Sequence, residues 1–291
     1  MKIYTTTNSL IVKSIQSYFN VINKEVKTIV FSDGEVLFQL NDELVDETII
    51  LVQTLSASVN DAIINTLFLT ELIKNACVKN IILVLTYLGY ARQDRQTLKF
   101  SLVSSKVVCK LLSNVNRVYV IEPHCSHVLS YFDSSSFGIS IASIICEHIS
   151  RFYDLDDIVI ISLDQGGLNR VIKIANSLGV KFISAIKQRI NGNIQISLCL
   201  EDKITESTAI IIDDIIDTGK SIKEAISQLN GKFKNILVYC VHALLSKVQT
   251  VEFKLVSSNS IVDRQYQLDV SYLLSRIIKN VLKNKEHNEL L

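Results

Sequence analysis

The sequence predicts an α/β protein of two tandem domains, each a mostly parallel sheet flanked by helices. Three observations predict it. Short runs of β-branched and apolar residues recur along the chain, segments with helical spacing lie between many of them, and the alternation runs twice. A length of 291 residues suits two domains of ordinary size.

In the first half, strand-like runs fall at Thr28–Phe31, Ile49–Gln53, Ile81–Thr86 and Arg117–Ile121. Helical spacing is found at Asn60–Asn75 and Val103–Leu112. The stretch Asp133–Gly138, with three consecutive serines at Ser134, Ser135 and Ser136, is the most linker-like part of the chain, and sets the expected domains at 1–136 and 137–291. The second half brings a helix at Gly138–Ser150, a strand at Ile158–Ser162, a helix at Leu168–Ser177 and strands at Phe182–Ile186 and Ala209–Ile212. A helix at Ser221–Leu229 and a strand at Ile236–Val241 complete it.

Composition narrows the function classes. A formal net charge of +1 supplies no field for nucleic acid or an anionic membrane. Hydrophobic content is 48%, yet apolar runs such as Ile81–Leu85 are strand-sized and far short of a membrane span. The first residues enter an apolar segment without signal-peptide architecture, which leads to the expectation of a cytoplasmic protein. The six cysteines have no C-x-x-C pair or metal-finger spacing, and most are expected to be reduced core residues.

In open parallel sheets ligands lie beyond the carboxyl ends of the strands, so polar residues directly after strands are the candidates. They are Phe31 to Glu35, Arg92 to Arg95, Glu122 to His124, Asp164 to Gly167, Lys187 to Arg189 and Asp213 to Ser221. Singly, each has a plainer reading: a surface turn for Phe31 to Glu35, a solvated charge run for Arg92 to Arg95, a core or capping histidine for His124, a helix N-cap for Asp164. Their shared position after strands favours a site. The last stretch, AIIIDDIIDTGKSI (Ala209 to Ile222), admits three readings. Gly219-Lys220-Ser221 resembles the tail of a nucleotide P-loop, but that motif needs a glycine where Asp214 stands. The turn Asp217 to Ser221, opening a helix at Ile222, could instead hold a phosphate monoester on backbone N–H groups and hydroxyls, with Asp213 and Asp214 meeting sugar hydroxyls or a metal. It could also be a capped βα turn.

Together, FSDGEV (Phe31 to Val36), GYARQDR (Gly89 to Arg95), His124 followed by Tyr131-Phe132-Asp133, LDQGG (Leu163 to Gly167) and DDIIDTGKSI resemble the ribose-phosphate diphosphokinase family in order and spacing, over nearly the whole chain. The resemblance implies two phosphoribosyltransferase-like domains and transfer of the diphosphoryl group of Mg-ATP to the anomeric hydroxyl of ribose 5-phosphate. By the same resemblance Phe31, Asp33, Glu35, Arg92, Gln93 and Asp94 contact ATP. Asp213, Asp214, Asp217, Thr218, Gly219, Lys220 and Ser221 hold ribose 5-phosphate. His124 and Asp164 ligate Mg²⁺, and Lys187, Arg189 and His124 are catalytic. Phe31, Asp33 and Glu35 are implied to reach the adenine of a neighbouring subunit, hence a homo-oligomer built from dimers, up to a hexamer, with no nucleic-acid or membrane partner. Two other functions fit parts of the pattern: a weakly active or inactive regulatory homologue assembling with an active subunit, and a phosphoribosyltransferase, for which GYARQDR has no use.

The chain also departs from the family. Lys220 stands where a glycine is usual, Glu122-Pro123-His124 replaces Asp-Leu-His, and Gln96 to Leu102 keeps one cation, Lys99, in place of a basic, proline-containing segment. Val45 stands where phosphate-activated members carry arginine. These departures imply a nearly complete catalytic set without the phosphate-activation site.

Overall fold

A computed structural model describes residues 2–7, 9–18, 22–24, 26–41, 43–190, 193–198, 204–246, 251–261 and 266–282. Two compact units emerge, one built on Met1–Ser140 and the other on Ile141–Asn259.

The first unit carries β1 (Lys2–Tyr4), α1 (Ser9–Tyr18), β2 (Ile22–Lys24), β3 (Lys27–Val30), β4 (Val36–Gln39), β5 (Thr48–Thr54), α2 (Val59–Asn75), β6 (Asn80–Tyr87), α3 (Ser104–Leu111), β7 (Arg117–Ile121) and β8 (Ser135–Ile139). Its main sheet has the order β2-β1-β5-β6-β7-β8, parallel throughout. After their first residue, β5 and β6 are buried along their whole length, as strands covered on both faces must be. Helix α2 buries Ala62, Ile63, Thr66, Leu69, Thr70 and Ile73, one face at helical spacing. The hydroxyls of Thr66 and Thr70 donate to the carbonyls four residues earlier, so neither polar group is stranded.

The second unit carries α4 (Ala142–Phe152), β9 (Ile158–Ser162), α5 (Leu168–Leu178), β10 (Lys181–Ile190), β11 (Asn193–Leu198), β12 (Thr208–Ile216), α6 (Lys220–Leu229), β13 (Asn235–Ala243) and β14 (Lys254–Ser257). The sheet order is β11-β10-β9-β12-β13-β14, parallel except for β11, which runs antiparallel to β10. Val159, Ile161, Ala209, Ile211 and Val238 from the strands pack with Ile222, Ala225 and Leu229 of α6. Finally, α7 (Ser271–Leu282) is counted with the first unit, where the ring of Tyr272 meets that of Tyr18 edge-on at 5.3 Å.

Four expectations need correction. Thr28–Phe31 does not join the parallel sheet: β3 pairs antiparallel with β4 in a separate hairpin. The serine-rich stretch expected to link the domains is strand β8, paired with β7, and the units divide after Ser140, with α7 in the first rather than in a second domain reaching 291. The helix expected from Gly138 begins at Ala142. Cys109 and Cys240 are buried, but Cys77 is exposed; Cys199 lies outside the described residues. Among the described residues no helix is long and apolar enough to cross a membrane.

Candidate active site

In the second unit the site is built on the carboxyl ends of two neighbouring strands, β9 and β12. The sequence suggests that the strand stops at Ile212, but β12 continues to Ile216 and carries Asp213 and Asp214 within it. The backbone N–H of Asp214 donates to Asp213 Oδ1 at 2.9 Å. Asp164 follows β9; its Oδ1 accepts the N–H of Gly167 at 2.9 Å, and its carbonyl accepts the Ser162 hydroxyl at 2.8 Å. Asp164 thus fixes the turn into α5, but it is not the N-cap, which is Gly167; its carboxylate lies near enough to Asp213 to act on it. Burial holds the Asp213 carboxyl well above the usual carboxylate range; Asp214 beside it and then Asp164 push the same way, and Arg170 opposes them. The adjacent acids together favour a bound cation or a hydrogen-bond donor.

Beyond β12, only Asp217, Thr218 and Gly219 separate the strand from α6, which starts at Lys220 rather than Ile222. A nucleotide P-loop does not fit here, because Asp214 is buried inside the strand and three residues cannot wrap a di- or triphosphate. Gly219 has φ +70°, a left-handed conformation that favours glycine. Its carbonyl accepts from the Lys223 N–H at 2.9 Å, so the N–H groups of the first turn of α6 face the loop. The Ser246 hydroxyl donates to Asp217 Oδ1 and holds that end of the turn. Thr218 and Lys220 are exposed. This is a short, donor-rich turn near two acids, suited to one phosphate and adjacent hydroxyls.

The first unit presents its candidates after β6, after β7 and in the hairpin. At the end of β6, Gly89 lies so close to Leu55 that a Cβ there would come within 2.8 Å of the Leu55 carbonyl oxygen. The loop that follows is pinned at Gln93: its carbonyl accepts the N–H and hydroxyl of Ser105, at 3.3 and 3.0 Å, and its Oε1 accepts the Ser104 hydroxyl at 2.8 Å. Gln93 therefore ties the loop to the start of α3, and Arg92 and Arg95 project as exposed cations. Asp94 turns toward the segment after β7, 3.3 Å from Cys125 Sγ and 3.5 Å from His127 Nε2. His124 is exposed in the same segment, and Glu122 before it has φ +37°. Phe31, Asp33 and Glu35 occupy the β3–β4 hairpin turn, where Gly34 has φ +92° and Asp33 Oδ1 accepts the Glu35 N–H at 3.0 Å. They do not lie at the end of a parallel strand.

Lys187 and Arg189 fall in β10, in antiparallel register with Ile196 and Ile194 of β11; their side chains lie outside the described residues. The structure brings together Asp164, Asp213 and Asp214 in the second unit, and Asp94 with the segment after His124 in the first. Sequence reasoning missed Arg170, Ser246, Cys125 and His127. Arg170 stands six residues after Asp164, in the first turn of α5, and only that placement reveals its carboxylate partner.

The description "N-terminal domain of ribose phosphate pyrophosphokinase" matches residues 1–115, and "Phosphoribosyl transferase domain" matches residues 127–271. The chain is 31% identical to the ribose-phosphate pyrophosphokinase of Bacillus subtilis over 97% of this chain and 94% of that one. It is 32% identical to that of Bacillus cereus, covering 88% and 85% respectively. The crystal structure of phosphoribosylpyrophosphate synthetase from Mycobacterium smegmatis shares the fold, with a TM-score of 0.87 at 22% identity over 98% of this chain and 99% of that one.

Proposed function

Because the chain belongs to the ribose-phosphate pyrophosphokinase family, we propose that it transfers the β,γ-diphosphoryl group of Mg-ATP to the anomeric hydroxyl of ribose 5-phosphate, giving 5-phosphoribosyl 1-diphosphate and AMP. The observation that carries this reading is the end of β12, where two adjacent acids lead into a three-residue turn at a helix N-terminus. Asp213 and Asp214 accept hydrogen bonds from the ribose hydroxyls. Thr218, Gly219, Lys220 and Ser221, with Asp217 bracing the turn, receive the 5-phosphate. The anomeric oxygen is thereby held in one place for attack on the β-phosphorus, and positioning of this kind supplies much of the rate in phosphoryl transfer.

In the first unit, Arg92 lends positive charge to the triphosphate, Gln93 holds the loop, and Asp94 completes its polar rim. Phe31, Asp33 and Glu35 suit the adenine of an adjacent copy: Phe31 is half exposed, and Val30 and Leu37 beside it present apolar surface on the same hairpin. That supports a homo-oligomer built from dimers. Lys187 and Arg189 are assigned to the charge that grows on the phosphoryl oxygens in the transition state. His124 and Asp164 are the proposed Mg²⁺ ligands. The donor set of the second unit suits a hard ion, since Asp164, Asp213 and Asp214 offer only oxygens and their mutual repulsion is relieved by a cation. When bound, Mg²⁺ would offset charge on the phosphates. Both substrates are water-soluble anions, which supports a cytoplasmic setting.

The test is direct. Purified protein given ribose 5-phosphate, Mg²⁺ and ATP should release AMP and form diphosphorylated sugar in equal amounts. Failure of both, in a folded protein, would favour the regulatory homologue instead.

A further inference from the structure

Cys125 and His127 have no part in the reaction described above, yet they converge on Asp94. The chain leaves β7 through Glu122 and Pro123 and enters a short 3-10 helix, Ser126–Tyr131. This folds Cys125 and His127 toward the loop after β6. The Cys125 thiol donates to Asp94 Oδ2 at 3.3 Å, His127 Nε2 lies 3.5 Å from the same oxygen, and Sγ and Nε2 are 3.9 Å apart. A tetrahedral zinc ion, with bonds of about 2.3 Å to sulfur and about 2.0 Å to nitrogen and oxygen, needs its ligand atoms about 3.5 Å apart where sulfur is involved and about 3.3 Å apart otherwise. The measured separations each lie within about 0.4 Å of those values.

We propose that Asp94, Cys125 and His127 form a site for one divalent metal ion of the zinc class, with water as fourth ligand. Sulfur and imidazole select such an ion, whereas Mg²⁺ takes oxygen ligands and an octahedral shell. The surroundings suit it. Half of the His127 side chain is exposed, so the ion enters from solvent. The Tyr131 hydroxyl donates to the Asp94 carbonyl at 3.0 Å, and its ring meets the His127 ring edge-on at 5.7 Å, holding two ligands in place. Without metal, His127 Nε2 lies 3.2 Å from the Asp94 carbonyl oxygen and suits an N–H donor. With metal, that nitrogen offers its lone pair and the ring proton sits on Nδ1. The Cys125 thiol loses its proton to solvent, so each ion bound releases one proton and forms one metal–thiolate bond. The ion ties the loop after β6 to the segment after β7. That Asp94 is then withdrawn from ATP is a consequence resting on the proposed function; the binding itself does not.

The test is Co²⁺ titration of the full chain after chelator treatment and dialysis. The expected result is one equivalent bound, with a thiolate-to-cobalt charge-transfer band and the strong visible bands of a four-coordinate ion. Zn²⁺ should bleach them and a large excess of Mg²⁺ should not. Cys125→Ser should abolish the charge-transfer band, His127→Ala should weaken binding roughly 10-fold or more, and Cys77→Ser should leave the spectrum intact. His127 is exposed, so its variant reports even if the serine variant misfolds. Absence of a charge-transfer band in the parent protein, or its survival in Cys125→Ser or at full affinity in His127→Ala, would overturn the proposal. Because no sugar or nucleotide is present, the outcome is independent of whether the protein makes 5-phosphoribosyl 1-diphosphate.

Discussion

Arg170 Nη1 lies 3.9 Å from Asp214 Oδ1, with each side chain about nine-tenths buried. The guanidinium stands in the first turn of α5, and the carboxylate near the end of β12, so the pair spans the two strands that carry the acidic cluster. Arg170 also opposes the rise that burial, Asp214 and Asp164 impose on the Asp213 carboxyl. Arg170→Met should destabilise the protein by about 3 kcal/mol, the low end for breaking a buried pair, because the contact is long and the acids can take up a proton. Adding Asp214→Asn should restore part of the loss. Urea unfolding of the two variants and the parent checks this; a single-variant loss under about 1 kcal/mol would make the pair incidental.

Asp213→Asn, Asp214→Asn and Thr218→Ala should raise the KM for ribose 5-phosphate more than that for ATP, because the first two stand near the end of β12 and the third in the turn that follows, the stretch assigned to the sugar phosphate. Separate determination of the two constants tests the assignment. A defect confined to ATP would return Gly219-Lys220-Ser221 to a nucleotide role despite the short turn.

Lys187→Ala and Arg189→Ala should each lower turnover roughly 10²-fold or more with little effect on stability, the scale for removing one preorganised donor to a developing anion. Single-turnover rates alongside thermal unfolding separate the two effects. Near-parental turnover in both variants would remove them from the reaction.

Activation by inorganic phosphate should be absent. Val45, Leu98 and Phe100 are all exposed, at 63%, 73% and 89%, and an apolar side chain cannot give the paired hydrogen bonds that hold a phosphate dianion. ADP should compete only with ATP. Titrating phosphate from zero at fixed free Mg²⁺ decides it, and saturable, several-fold activation would reveal a site with other ligands.

The parallel core strands could be read from the sequence because they are buried on both faces and therefore appear as unbroken apolar runs, as in Ile81–Leu85 and Ala209–Ile212. Where burial is one-sided the signal fades. Ser135–Ile139 is an edge strand that is mostly half exposed, so its serines satisfy the ladder while resembling a linker. The hairpin strand Lys27–Val30 is exposed along its length, and nothing in its composition says that its partner is antiparallel and nine residues on. The same limit holds in the site. Asp213, Asp214 and the turn to Ser221 are contiguous and visible as a motif, whereas Arg170 and the Asp94–Cys125–His127 group depend on neighbouring strands bringing distant residues together.

The measurement closest to the central claim is the fate of label from ATP carrying ³²P at the β position, compared with ATP labelled at the α position. Attack of the anomeric hydroxyl on the β-phosphorus breaks the bond between the α- and β-phosphates. The account predicts that β label moves wholly into the sugar product, while α label stays in AMP. Recovery of β label in ADP or inorganic phosphate, with none in the sugar, would contradict it.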